Sequence, residues 1–152
     1  MDNMQDQIGV LNELIETTID SITGYEDSAE NIENERLREI FRQRATERQQ
    51  VVSDLREEVR RLGGNPEDSG TFMGKTHQRF LDLKAAVTGR DEKAIINEVE
   101  RGEDYLKGKY DAAVNGGTLT GECRAAVERA YQSVRSGHDQ MSQLKHGMES
   151  NA

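Results

Sequence analysis

Apolar residues recur at steps of three and four over four long stretches of this 152-residue chain, and a single proline, Pro66, punctuates them. That period is the signature of amphipathic helices, and stretches this long leave little room for any other element. Ile8, Leu11, Leu14, Ile15, Ile19, Ile22, Tyr25, Ala29 and Ile32 predict a helix over about 5–31. Gly24 weakens it by about 1 kcal/mol relative to alanine without breaking it. Leu37, Ile40, Phe41, Ala45, Val51, Val52, Leu55, Val59 and Leu62 predict a second helix over about 35–62, with Asn34 as its N-cap. Gly63-Gly64-Asn65-Pro66 then permits left-handed backbone and forbids continuation, making the strongest boundary in the sequence. A shorter helix is expected over about 72–88, carrying Phe72, Met73, His77, Phe80, Leu81, Ala85 and Val87. Asp91 can cap a helix over about 92–115, with Ile95, Ile96, Val99, Gly102/Glu103, Leu106 and Tyr110 as its stripe. After Asn115-Gly116-Gly117, Thr118 or Thr120 can cap a last helix to about 147, through Val127, Ala130, Tyr131, Val134, His138, Met141 and Leu144.

Composition agrees with an all-α chain, since 34% hydrophobic and 32% charged residues with no tryptophan suit solvent-coated helices better than a sandwich or barrel. The length suits one helical domain over 1–152, able to bury roughly 68–70% of its unfolded surface. The two short links make antiparallel hairpins, and a crossover containing the shorter helix joins them, which is the topology of ferritin-like four-helix bundles. A net charge of -9 argues against sequence-independent nucleic-acid binding and against anionic membranes. No stretch reaches the roughly 18–20 apolar residues of a membrane span, and the acidic start lacks the pattern of a signal peptide, so a cytoplasmic setting is expected. Cys123 is alone, hence without an internal disulfide, and reads as a small packing residue.

The chemistry lies where polar residues enter the stripes. Glu100-Arg-Gly-Glu103-Asp-Tyr105 places carboxylates on the inner side of its helix, and Glu47, Gln50, Arg135 and His138 are similar intrusions. A di-iron bundle needs one Glu from each of two helices and a Glu-x-x-His pair from each of the others. Here Glu47 has Gln50 where the histidine belongs, and His138 has Arg135 where the glutamate belongs. Taking the first hairpin's turn near Glu33 sets Glu47 level with Thr18 and Ile19 and leaves Glu26 about 10 Å off the layer. Taking the other turn near Gly117 sets Arg135 level with Glu100, and His138 level with about Asn97. The expected internal polar layer is therefore Glu47, Gln50, Glu100, Glu103, Arg135 and His138. In it Arg135, a five-donor cation with no lone pair, takes the place of lost metals. Arg36, Arg38, Arg42, Arg44 and Arg48 read as a solvated face laced with i,i+4 ion pairs. His77 reads as a packing histidine, His146 carries no function, and Glu16 and Asp20 read as solvated.

Leu11-Asn-Glu-Leu-Ile-Glu16, Gly24-Tyr-Glu26, Leu62-Gly-Gly-Asn-Pro66, the stretch from Gly74 to Lys84, and Glu98-Val-Glu-Arg-Gly-Glu-Asp104 with Tyr110 carry a resemblance. In these residues, from about Leu11 to Leu144, the chain resembles an uncharacterised bacterial family of four-helix-bundle proteins, a domain of unknown function in the ferritin-like superfamily. Thr120-Gly121 in the last helix departs from it, standing where prolines are expected. The resemblance implies the fold and a bacterial cytoplasmic setting rather than an activity.

The leading expectation is a non-catalytic, stress-related scaffold or interaction module without cofactor, whose purified form carries no stoichiometric iron, manganese or zinc. The alternative is a ferritin-like oxidoreductase or storage protein holding iron or another divalent metal at Glu47, Glu103 and His138. A small-ligand binder using the crossover is the third class. A homodimer is compatible with such a bundle, and nothing in the sequence names a protein partner.

Overall fold

A computed structural model describes residues 2–68 and 92–150. Four helices account for nearly all of them: α1 (Asp2–Asn31), α2 (Glu35–Arg61), α3 (Glu92–Asn115) and α4 (Gly121–Ser150). The expected boundaries agree with these to within a few residues. The shorter helix over 72–88, with His77 and the cap Asp91, lies outside the described residues.

Local chemistry sets the ends. The Asn34 side chain accepts a hydrogen bond from the Leu37 amide at 3.0 Å, satisfying one of the free donors at the start of α2. At its other end Gly63 takes φ +86°, its amide donates to Arg60 O, and the Gly64 amide donates to Val59 O, each at 2.9 Å. This paired closure needs a left-handed residue, and glycine supplies it without strain. Arg38 closes α1 from outside, donating to Ala29 O at 3.1 Å and Ile32 O at 2.6 Å.

The helices pack as a four-membered ring in the order α1, α2, α4, α3, leaving α1 opposite α4 and α2 opposite α3. Gln7 near the start of α1 accepts from the Thr120 amide at 2.9 Å, and Arg61 at the end of α2 reaches Cys123 at 3.5 Å. At the far end Asn34 and Leu37 share a pocket with Glu92, Ile96 and Leu144. Helices α2 and α3 therefore run the same way. Asn12 holds the residues just after α2, donating to Asn65 O at 3.1 Å and accepting from the Glu67 amide at 3.0 Å.

The core runs the full length of the ring, from Leu11, Leu55, Val59 and Cys123 to Ile32, Leu37, Ile96 and Met141. On α2 the innermost positions are Phe41, Ala45, Arg48, Val52, Leu55 and Val59; on α4 they are Cys123, Ala126, Val127, Ala130, Val134, Gly137 and Met141. Two of these, Arg48 and Gly137, interrupt an otherwise apolar lining at one level. None of the described helices is long and apolar enough to cross a membrane.

Candidate functional site

Arg48 is fully buried, and Glu103, on the helix diagonally opposite, is 2% exposed. Their charged ends meet as a two-pronged pair: Arg48 Nη1 donates to Glu103 Oε1 at 2.8 Å, and Nη2 donates to Oε2 at 2.6 Å. Nη1 also donates to Ser21 Oγ at 3.1 Å, and the guanidinium lies 5.6 Å from the centre of the Tyr25 ring. A planar fork facing a carboxylate is the geometry in which arginine binds most strongly. Burial works to lower the Arg48 pKa, but the Glu103 charge and hydrogen bonds outweigh it, and the guanidinium stays charged. For Tyr25, burial foremost and then the adjacent Glu103 charge hold the phenol well above its ordinary value.

The fourth helix contributes room. A Cβ at Gly137 would stand 2.5 Å from Arg48 Nη2 and 3.2 Å from Glu103 Oε2. Thus α1 supplies Ser21 and Tyr25, α2 supplies Arg48, α3 supplies Glu103, and α4 supplies the space the pair occupies. Toward the end of the bundle that holds the start of α1, Thr18 and Tyr110 share a hydrogen bond of 2.8 Å, and Thr18 also donates to Leu14 O.

Of the expected layer, Glu103 is the member that this one keeps. Glu47 faces outward, half exposed, against Arg44, and Gln50 is exposed and donates to Asp54 at 2.9 Å. Arg48, one position on, takes the inner place, because the stripe from Ala45 to Val52 leaves a slot there. It does not belong with the solvated arginines, and neither do Arg38, which caps α1, and Arg44, which donates to Gln140 Oε1. Arg135 is exposed on α4, beside a surface groove with Gln132, Ser136 and Asp139, and is not the partner of Glu103. Asp20 is buried rather than solvated.

The register of the second hairpin explains the misplacement of Arg135 and His138. His138 meets Asp104, and the Tyr131 hydroxyl leads the effects that hold Asp111 below its ordinary pKa. These pairs centre the hairpin near Gly121 rather than Gly117, because Leu119 is buried and carries the link on past the end of α3. Helix α4 thus starts about 9 Å beyond that end.

The donors of a di-metal centre do not fit this interior. A guanidinium occupies Glu103, Glu47 points away, and His138 lies on the flank of α4 rather than at its innermost position. Among the described residues, the three metal-type donors that converge are Glu100, Asp104 and His138, whose ligand atoms lie within 4.8 Å of one another. Glu100 also accepts from Lys145 Nζ at 3.3 Å.

A groove between α1 and α3 opens onto the same level, lined by Ser21, Gly24, Tyr25, Val99, Gly102 and Leu106. Cys123 is buried as expected of a packing residue, and burial pushes its thiol pKa up.

Comparison with known proteins finds one family model, described as Domain of unknown function (DUF2383), that matches residues 6–116. The match takes in α1, α2 and α3 and stops before α4, where the sequence also departs from the resemblance. No curated protein matches the chain.

Proposed function

The chain belongs to the family described as Domain of unknown function (DUF2383), and from that premise we propose that it is a non-catalytic, ferritin-like bundle serving as a scaffold or interaction module in the cytoplasm. The observation that carries the reading is the Arg48–Glu103 pair. It joins two facing helices in the bundle interior, the kind of place in which a di-iron bundle holds its ligands, and fills it with a fixed cation. Arginine has no lone pair to offer a metal, and its charge repels one. Two antiparallel hairpins with α2 and α3 running the same way are compatible with the ferritin-like arrangement, and this supports the assignment. The acidic surface supports an interaction role directed at basic or neutral partners. Among the described residues Met4 is the large apolar side chain left exposed, so self-association through a broad apolar face has little support there.

Iron(II) oxidation and a double-mutant cycle test the proposal together. The wild type is expected to show no oxidation of iron(II) above the buffer rate. Arg48→Met and Glu103→Leu singly should each cost about 3–5 kcal/mol, while the double variant should lie within a few kcal/mol of wild type or above it. Iron oxidation that disappears with Glu103→Leu or Glu103→Gln would overturn the reading.

A further inference from the structure

Among the described residues outside the core pair, one cluster combines different metal-type donors on two helices. Glu100 and Asp104 are one turn apart on α3 and so share a face. His138 comes to them from α4, with Nε2 hydrogen-bonded to Asp104 Oδ1 at 2.5 Å. The other ring nitrogen, Nδ1, is 3.2 Å from Asp139 Oδ1. Asp139 thus stands where it can orient the ring with Nε2 toward Asp104. A carboxylate on the far nitrogen is the arrangement that orients histidine at protein metal sites. Glu100 is 12% and His138 18% exposed at the side chain, whereas Asp104 is 56% exposed, leaving a side open to solvent for entry and for water ligands.

We propose that Glu100, Asp104 and His138 bind a borderline divalent cation, with Zn2+ as its probe, bridging α3 and α4. Two carboxylates and one imidazole suit zinc or cobalt better than magnesium, which prefers oxygen alone. Bonds of 2.0–2.2 Å need donors about 3.3 Å apart, so the side chains draw together from their present spread of up to 4.8 Å. The Asp104–His138 hydrogen bond opens in the process. Binding uses the imidazole as its Nδ1–H tautomer, with that proton donated to Asp139. The Lys145 ammonium on Glu100 competes with the cation and is displaced toward solvent.

Zn2+ titration of the full chain by calorimetry tests this. One ion per chain is expected, with affinity at least about tenfold weaker in His138→Ala and in Asp104→Asn. Asp139→Asn should weaken it by about 10–100-fold through loss of ring orientation. Lys145→Met should tighten binding, a change in the opposite direction that no loss of folding produces. The Arg48→Met/Glu103→Leu variant should bind as wild type does, which separates this site from the core reading. Absence of Zn2+ binding in wild type, or binding unchanged in both His138→Ala and Asp104→Asn, would overturn the proposal.

Discussion

Replacing Gly137 by alanine sets two effects of known size against each other. At an open helical position this change gains about 0.8–1.0 kcal/mol. At Gly137 the new methyl would meet Arg48 Nη2 at 2.5 Å, Glu103 Oε2 at 3.2 Å and Arg44 Cδ at 3.3 Å. Arg48 has no retreat, because its fork is held by Glu103 and Ser21 and one face lies toward Tyr25. Overpacking a well-filled interior costs about 1–3 kcal/mol, and loss of one charge-assisted hydrogen bond adds about 1.5–3 kcal/mol. After the helix-propensity gain the variant should be destabilised by about 2–5 kcal/mol. Equilibrium urea unfolding measures it, with Gly102→Ala and Gly108→Ala as comparators, since a Cβ at either meets nothing within 4 Å. Those two should become more stable by up to about 1 kcal/mol. In the Arg48→Met/Glu103→Leu background most of the Gly137→Ala penalty should vanish. If Gly137→Ala unfolds at the same or higher urea concentration than wild type with unchanged slope, the steric reasoning is refuted.

Other measurements probe the remaining titratable and buried groups. Burial works to lower the His138 pKa, but Asp104 and Asp139 outweigh it and raise the imidazole above 6.5. The stabilisation is full below the unfolded value and lost as pH rises through the folded one, so the stability difference between wild type and His138→Gln should shrink from pH 5.5 to pH 8.5. Burial foremost pushes Tyr110 up to about 12. Absorbance titration at 295 nm should therefore show Tyr110 and Tyr25 ionising later than exposed phenols, with the protein losing stability as pH climbs from 10 toward 12. The Cys123 thiol, 1% exposed, should react with an aromatic disulfide reagent at a rate that follows urea unfolding, and fast labelling of the native state would contradict its burial.

The helices were legible because their signals are local. Stripe period, the Asn34 cap and the Gly63-Gly64 stop all act within a few residues, and each of the four described helices lies where they place it. Side-chain role at the polar level depended on one-residue distinctions that charge disguised. Arg48 occupies the slot three residues after Ala45 and four before Val52, so spacing alone marks it as inner, but a lone arginine among charged neighbours reads as solvated. Gly137 and His138 pose the same choice on α4, and histidine, being larger, was the more natural candidate for the stripe. What Gly137 does could not be read from its neighbours in sequence, since it is defined by atoms on α2 and α3. The register of the second hairpin turned on the burial of Leu119, an isolated apolar residue in a link otherwise made of glycine and threonine.

The diagonal position of Arg48 and Glu103 also bears on the order of events in folding. The two residues are 55 apart in sequence, and they sit on helices that barely touch, so neither hairpin alone can bring them together. Their fork closes only once both hairpins have docked and α4 has presented Gly137, late in assembly, so Arg48→Met is expected to speed unfolding far more than it slows refolding in stopped-flow measurements. Contacts made that late leave the folding rate almost unchanged and slow the return to the unfolded chain. On that expectation the pair acts chiefly on lifetime, holding an assembled bundle closed after the hydrophobic stripes have decided that it forms.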